Sequence, residues 1–273
     1  MRRKIKALLL RVLGEGGTAY FQALQFVRLL ASGKYFDKSY EFYEPELDLL
    51  PRLLSPGDIA VDVGALGANW TCAMHRVVGR SGFVFAFEAH PFHARSTAIA
   101  MKLMKMRSTR LFPFGLSNRQ EEALLRVRDA DGQRCEGESA IEINAPQESA
   151  SYATIKLKTL DSMVVDHPRL TETRLMKIDV EGHELFVLQG AQVVIRQARP
   201  HVILEKGAFE EQGYTCREVH AFLAEMGYRA FACVAGGALA PTDAMLEHPD
   251  AVGPNRVFVP EEKLADLNDL IRA

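Results

Sequence analysis

The sequence predicts an α/β fold in which helices cover both faces of a doubly wound, mostly parallel sheet. From residue 59 onward, short apolar strands alternate with helical stretches, and such alternation joins parallel strands through right-handed crossovers. Near the C-terminus two apolar runs follow each other with no clear helix between them, which indicates an antiparallel pair. The seven predicted strands are 59–63, 82–88, 109–114, 175–180, 201–205, 228–234 and 256–259.

A helical N-terminal extension, residues 1–45, is predicted before the sheet domain of residues 46–273. Apolar residues recur at helical spacing on either side of Gly14, and the second stretch ends near Gly33, a favoured helix stop. Basic residues lie largely off the first apolar stripe, so weak peripheral membrane contact is one interpretation. Packing on the domain itself, or on a second copy in a homo-oligomer, is the favoured one. No apolar run approaches the ~18 residues of a spanning helix, so we expect no transmembrane segment.

Two further segments complete the predicted organisation. Residues 46–54 indicate a short helix with proline at its start, and the turn cluster at 55–58 leads into the first strand. Residues 130–151 are rich in Asp, Glu, Gly, Ser and Gln, which predicts an exposed loop.

Composition excludes several classes of function. The 273 residues carry 33 Lys and Arg against 35 Asp and Glu, a formal net charge of -2. Because a nucleic-acid partner requires a basic surface, we expect a small-molecule acceptor and no nucleic acid. The four cysteines lack C-x-x-C spacing, which argues against a zinc cluster or a disulfide framework and favours a reducing, cytoplasmic compartment. They are Cys72, Cys135, Cys216 and Cys233.

A loop of small residues follows the first predicted strand. Asp62 lies at the end of the strand, and the helix begins near Asn69. Gly64, Ala65 and Gly67 between them let a ligand approach the carboxyl end of the strand. Glycines also close ordinary strand-to-helix turns, so this loop alone does not decide between a ligand site and a plain turn.

The end of the second strand favours the ligand site. Glu88 follows Asp62 by 26 positions, about one β-α-β unit, and a carboxylate there can accept both hydroxyl hydrogens of a ribose. A solvated glutamate is the alternative. Ser117 and Asn118 follow the third strand and are candidates for contact with the adenine or its ribose, with a plain turn as the equal alternative. These residues predict a nucleoside cofactor.

The loop chemistry distinguishes between nucleoside cofactors. A dinucleotide site normally needs G-x-G-x-x-G, which is absent here, and Asp62 would repel a pyrophosphate. A cofactor that carries an ammonium and a sulfonium tolerates a nearby carboxylate. S-adenosylmethionine therefore fits better than NAD, and an NAD-dependent oxidoreductase is the first alternative.

A second polar group follows the fourth parallel strand. Asp179, Glu181 and His183 end that strand, and Glu205 ends the next one. In a doubly wound sheet the fourth strand adjoins the first, so this group should face the same crevice as Gly64. We expect it to orient a hydroxyl for methyl transfer and to remove its proton, with His183 a candidate general base that a neighbouring carboxylate orients. Capping or packing is the favoured alternative for this histidine.

A divalent metal is possible at these side chains but is not favoured, and no metal ligand is predicted. Magnesium could bind such oxygen ligands and lower the pKa of a hydroxyl. The same oxygens equally suit hydrogen bonding to a polyhydroxylated acceptor.

The sequence also resembles the FkbM-type family of S-adenosylmethionine-dependent methyltransferases, from about residue 44 to 228. The resemblance implies a Rossmann-like class I methyltransferase that acts on a hydroxyl of a sugar, glycan or secondary metabolite. Ala68 departs from the family's glycine, which puts cofactor affinity in question and keeps a non-catalytic cofactor-binding protein as the second alternative. The matching segments are 43–46, 62–65, 87–91, 115–118, 159–161, 176–185, 188–191, 199–200 and 203–205, of which 177–184 is the most specific.

Overall fold

The computed structural model describes residues 2–40, 43–128, 135, 141–142, 152–205, 209–234, 237–242 and 255–272. Only the backbone is described for residues 2–13, 15, 142, 210 and 211. The helices in these ranges are α1 (Arg2–Ala31), α2 (Leu50–Leu53), α3 (Asn69–Val78), α4 (Pro91–Leu103), α5 (Glu184–Gln189), α6 (Gln192–Ala198) and α7 (Cys216–Glu225). A 3-10 turn, Pro45–Leu49, leads into α2 at the position of the predicted helix.

Two sheets are built from the strands of these residues. The main sheet contains β1 (Ile59–Val63), β2 (Phe83–Phe87), β3 (Thr109–Phe112), β8 (Thr173–Ile178), β9 (His201–Glu205), β10 (Tyr228–Val234), β11 (Ala238–Pro241) and β12 (Asn255–Pro260). The second contains β4 (Gly115–Leu116), β5 (Glu121–Arg126), β6 (Ile141–Glu142) and β7 (Tyr152–Lys158).

The topology of the main sheet confirms the predicted fold. Its strand order is β11-β10-β12-β9-β8-β1-β2-β3. The five adjacent strands β9, β8, β1, β2 and β3 pair in parallel. In contrast, β12 is antiparallel to both β9 and β10. As expected, β8 adjoins β1, so their carboxyl ends share one edge. The seven predicted strands are all present, and β11 adds an eighth at the edge of the sheet.

The second sheet was not predicted. It has the order β4-β7-β5-β6, and β5 pairs antiparallel with β7 along its whole length. Most of the predicted loop 130–151 lies outside the described residues. Where it is described, at β6, the prediction of an exposed loop is wrong, because Ile141 is buried in a cluster with Leu125, Ile155 and Leu157.

Helices bury both faces of the main sheet, as a doubly wound fold requires. Side chains alternate along β1, so Val61 and Val63 face one core and Ala60 faces the other. The first core receives apolar residues of α5, α6 and α7, and the second receives residues of α1, α2, α3 and α4.

The N-terminal segment packs on the second of these cores. Gly14 interrupts α1 with non-helical angles (φ 62, ψ -174), which agrees with the predicted break, although Gly16 and Gly17 lie within the helix. Leu30 and Tyr35 are buried against the sheet domain. The boundary at residue 45 stays a prediction. Contact of the first turns with a membrane also stays one, since side chains 2–13 lie outside the described set. No helix of the described residues is long and apolar enough to cross a bilayer.

Candidate active site

A cleft, partly open to solvent, lies at the carboxyl ends of β1, β2 and β8. Ligands of open α/β sheets bind at this edge. Five of the predicted site residues line it: Gly64, Glu88, Asp179, Glu181 and His183. The second sheet contributes Leu125 and Ile141 to the wall.

Gly64 brings the ends of β1 and β8 together. Its φ is +89, and a Cβ at this position would lie 1.8 Å from the carbonyl oxygen of Asp179. The amides of Gly64 and Ala65 both donate to the carbonyl of Phe87, at 2.9 Å, which ties the loop to β2 as well. Only glycine permits this approach, so the loop brings the ends of three strands to one point.

The rest of the first loop packs against the N-terminal segment. A Cβ on Gly67 (φ +69) would lie 2.7 Å from the ring of Phe26 in α1, and the Gly67 amide donates to Thr97 Oγ1 at 3.0 Å. Ala68 is left-handed (φ 61) and fully buried. Asn69 begins α3, and its Oδ1 is buried. The predicted site residues Gly67 and Asn69 do not line the cleft, nor does Ala68, and Gly67 is required by the packing of α1.

Asp62 lies behind the cleft and does not line it. Its side chain is on the same face of β1 as Ala60, where it accepts a short hydrogen bond from the hydroxyl of Thr71. Burial raises the pKa of Asp62 to about 6. The geometry does not support direct contact between this carboxylate and a ligand in the cleft.

Glu88 follows β2 directly and has the geometry of a ligand-binding carboxylate. Its residue is 8% exposed and lines the cleft. The amide of His90 donates to Oε1 at 2.8 Å, while Oε2 makes no hydrogen bond to the described residues. Burial raises the pKa of Glu88 to about 7. One carboxylate oxygen is thus fixed by the protein, and the other is available to a ligand.

Among the described residues, the hydrogen-bond partner of His183 is a hydroxyl and not a carboxylate. Its Nε2 lies 2.9 Å from Ser117 Oγ, and its ring lies 4.6 Å from that of Phe186. Burial lowers the pKa of His183 to about 4, so the ring is neutral at physiological pH. Asn118 points elsewhere and donates to Gln189 Oε1 at 2.9 Å. Ser117 therefore contacts the site through His183, and neither Ser117 nor Asn118 lines the cleft.

Three of the predicted catalytic carboxylates lie together. Ile178 of β8 pairs with Leu204 of β9, so Asp179 and Glu205 follow at adjacent strand ends. Glu181 (φ 55) turns the chain back toward them. One oxygen from each of the three carboxylates lies within 4.8 Å of the others. Such spacing is compatible with a divalent cation, but acidic groups often have it without one, and it alone assigns no metal.

Lys177 is the functional residue that sequence reasoning missed. Its side chain is 1% exposed, and Nζ lies 3.1 Å from Asp179 Oδ2 and 5.5 Å from the ring centre of Trp70. The available signal was a lysine inside an otherwise apolar strand, because a buried ammonium requires a charged partner.

Glu44 is a second missed residue. Its carboxylate accepts hydrogen bonds from Tyr35 Oη at 2.7 Å, Trp70 Nε1 at 2.9 Å and Asn255 Nδ2 at 3.0 Å. These donors lie 9, 26 and 211 positions from Glu44, so they come from three separate segments and no local pattern reveals the arrangement.

Comparison with known proteins identifies the family. The sequence model of the methyltransferase FkbM domain matches residues 62–230. The chain belongs to the FkbM methyltransferase family. The predicted resemblance is thus confirmed, and this FkbM chain is an S-adenosylmethionine-dependent methyltransferase. A comparison with curated protein sequences finds no match.

Solved structures resemble the FkbM chain at low identity. A methyltransferase FkbM from Methylobacillus flagellatus KT is 14% identical, with 89% of this chain and 54% of that chain covered and a TM-score of 0.49. This chain therefore spans about half the length of that protein. A SAM-dependent methyltransferase from Aquifex aeolicus is 14% identical, with 84% and 96% covered and a TM-score of 0.43. Aeropyrum pernix fibrillarin in complex with S-adenosylmethionine is 11% identical, with 85% and 73% covered and a TM-score of 0.40.

The residues of the cleft fit the cofactor of this family. A carboxylate that lines the cleft stands at the end of β2, where a ribose is expected, and only one of its oxygens is hydrogen-bonded to the described residues. Ala68 already has the left-handed conformation that a glycine would have there, so its methyl group is accommodated without a change in the loop backbone.

Proposed function

We propose that the protein methylates a hydroxyl oxygen of a small molecule or glycan. The observation that carries this proposal is the position of Asp179, a partly exposed carboxylate at the end of β8 that lines the same cleft as Glu88. A carboxylate there can accept the hydrogen of an acceptor hydroxyl and orient its oxygen for attack.

The cofactor-binding role rests mainly on Glu88 and the backbone of the first loop. We assign the ribose hydroxyls to the Glu88 carboxylate, and we assign Gly64 and Ala65 to the close approach of the β1 loop. Five further predicted residues support these groups from behind, through packing, hydrogen bonds or their charge: Asp62, Gly67, Asn69, Ser117 and Asn118. When bound beside these residues, S-adenosylmethionine would supply an electrophilic methyl group for the acceptor oxygen and would leave as S-adenosylhomocysteine.

Asp179 suits the proton-accepting role better than His183. The Nε2 of His183 is already within hydrogen-bond distance of Ser117 Oγ, whereas the ammonium of Lys177 favours the ionised form of Asp179, which can accept a hydrogen. Glu205 and Glu181 stand beside Asp179 and can bind further hydroxyl groups of the acceptor. We therefore propose that Asp179 receives the hydroxyl proton and that the two glutamates help to orient the acceptor.

The acceptor is expected to be a polyhydroxylated compound, with a sugar hydroxyl preferred. The carboxylates offer hydrogen-bond acceptors to several hydroxyl groups, while Leu125 and Ile141 provide an apolar wall for a ring face.

The net charge of -2 supports the absence of a nucleic-acid partner. The four cysteines are free, which supports a cytoplasmic location. We also propose, as the alternative to packing on its own domain, that α1 contacts a second copy of the chain in a homo-oligomer.

Two measurements test this function. Calorimetry should detect binding of S-adenosylmethionine and not of NAD, and tight binding of NAD alone would support the oxidoreductase. Mass spectrometry of metabolites and glycans from cells with and without the gene should then reveal a methylated product. Cofactor binding without turnover on a broad panel of hydroxylated acceptors would support a non-catalytic binding protein.

The Asp179→Asn variant tests the assignment of the acceptor site. It should lower turnover more than cofactor affinity, because the amide cannot accept a proton but keeps the shape of the side chain. A pure loss of affinity would move Asp179 to the cofactor site.

A further inference from the structure

The buried side chain of Lys177 is the feature from which this inference starts. Lys177 points to the face of the sheet that carries Leu175 and Ile203, because alternate residues of a strand share a face and Ile203 of β9 pairs with Lys177. The N-terminal segment covers this face. An ammonium in such a place is held only by the charges around it. Asp179 follows the last residue of β8 and lines the cleft.

Asp179 and Glu205 form a closely spaced carboxyl pair. One oxygen of each lies within 4.8 Å of the other, and Asp179 Oδ2 accepts from Lys177 Nζ at 3.1 Å. Two ionised carboxylates at this spacing repel each other, which favours a proton on one of them. Other titratable groups face the pair from five elements, namely Glu181 after β8, Glu44 and Tyr35 before β1, Asp62 on β1, Glu88 after β2 and Glu184 of α5.

The surroundings of the two carboxyl groups are unequal. Lys177 contacts Asp179 directly, whereas Glu205 is half-buried and has Asp179 and Glu181 as negative neighbours. Burial and the Asp179 charge raise the pKa of Glu205 to about 10. Burial acts against ionisation of Asp179, but the adjacent ammonium of Lys177 holds the pKa of Asp179 below the usual range. The asymmetry follows from which carboxyl group the ammonium touches.

We propose that Lys177 is a positioning residue that keeps the shared proton on Glu205, so that Asp179 is the ionised member of the pair. This inference rests on the proposed function for its meaning: Asp179 Oδ is then the oxygen that receives the acceptor's hydroxyl proton. Glu205 keeps its own proton and remains a hydrogen-bond donor. After transfer both carboxyl groups are protonated, and one proton returns to solvent through the exposed side of Asp179, which is 30% accessible.

Infrared spectroscopy of the protein without ligand tests the location of the proton. At about pH 8.5 the carboxyl groups with ordinary pKa values are ionised, so a carbonyl stretch of a protonated carboxyl group should remain and should disappear in Glu205→Gln. Absence of this band from the wild-type protein, or its persistence in Glu205→Gln, would overturn the proposal.

Carbon NMR of labelled aspartate tests the role of Lys177. The resonance assigned by its loss in Asp179→Asn should titrate below the usual range for aspartate in the wild-type protein. In Lys177→Met the midpoint should rise by about 1–3 pH units, because a cation within hydrogen-bond distance is removed. Lys156→Met, at an exposed position of β7, is the matched control and should leave the midpoint unchanged.

The outcomes separate this inference from the proposed function. An unchanged midpoint in folded Lys177→Met would overturn the inference. If that variant does not fold, the wild-type titration still decides, since a midpoint at or above the ordinary aspartate value contradicts it. Neither readout uses cofactor or acceptor. A failure to bind S-adenosylmethionine would therefore count against the function while the measured proton location still stood.

Discussion

The Glu88→Gln variant should bind S-adenosylhomocysteine about ten- to a hundredfold more weakly than the wild-type protein. In the structure Oε1 of Glu88 already accepts from the His90 amide, which an amide oxygen can also do. The substitution therefore replaces Oε2, the oxygen left for the ligand, with a donor that faces a donating hydroxyl. Loss of a hydrogen bond to a charged group costs about 1.5–3 kcal/mol, which gives this range of affinity.

The pH dependence of binding sharpens the same prediction. The pKa of Glu88 is about 7 in the free protein, and the ionised form is the better hydrogen-bond acceptor. Wild-type affinity should therefore fall as the pH drops below about 7, by a factor that approaches ten per pH unit. The Glu88→Gln variant should lose this dependence, since its amide does not titrate.

Isothermal titration calorimetry between pH 5.5 and 8.5 measures both effects. Glu122→Gln, an exposed substitution on β5, is the control and should bind like the wild-type protein. Equal dissociation constants for Glu88→Gln and wild type, or the same pH dependence in both, would refute the assignment of the ribose to this carboxylate.

Three further predictions concern stability, each measured by chemical denaturation. Gly67→Ala should destabilise the fold by about 1–3 kcal/mol, because its Cβ would overlap Phe26 at a left-handed position, whereas Gly16→Ala in exposed helix should stabilise it by about 0.5–1 kcal/mol. Ala68→Gly should be neutral or stabilising by up to about 1 kcal/mol, since the left-handed strain is removed; a clear loss would mean that the methyl group packs better than it strains. Burial raises the pKa of Glu184 to about 7, so its protonated form stabilises the fold at low pH. The difference in free energy of unfolding between wild type and Glu184→Gln should therefore shift against the wild type as the pH rises from about 4.5 to 7. A difference that does not change with pH would contradict this.

The parallel sheet was predictable because its strands are continuous apolar runs that end in small or acidic residues. The spacing from Asp62 to Glu88 placed two strand ends at one edge, and Glu88 does line the cleft. Asp62 has the opposite orientation because it shares a face of β1 with Ala60, and its partner is Thr71. The position of a residue along a strand could therefore be predicted from the sequence, but the face of the strand on which the ligand site lies could not.

The second sheet was not predicted because charged residues interrupt the apolar pattern of its strands. Glu121, Glu122 and Lys156 interrupt the apolar pattern of β5 and β7, so the alternation that remains is short. The Lys177 and Glu44 contacts escaped for another reason. The contact of Lys177 with Trp70 and that of Glu44 with Asn255 join segments more than a hundred residues apart, and the packing of the N-terminal segment on the sheet brings Glu44 to Trp70, 26 positions away.

A crystal structure with S-adenosylhomocysteine tests the central claim most directly. The account predicts the nucleoside in the cleft between β1, β2 and β8, with both ribose hydroxyls within hydrogen-bond distance of the Glu88 carboxylate and the sulfur directed toward Asp179. A ligand bound elsewhere on the chain, or one in the cleft with its ribose away from Glu88, would contradict the account.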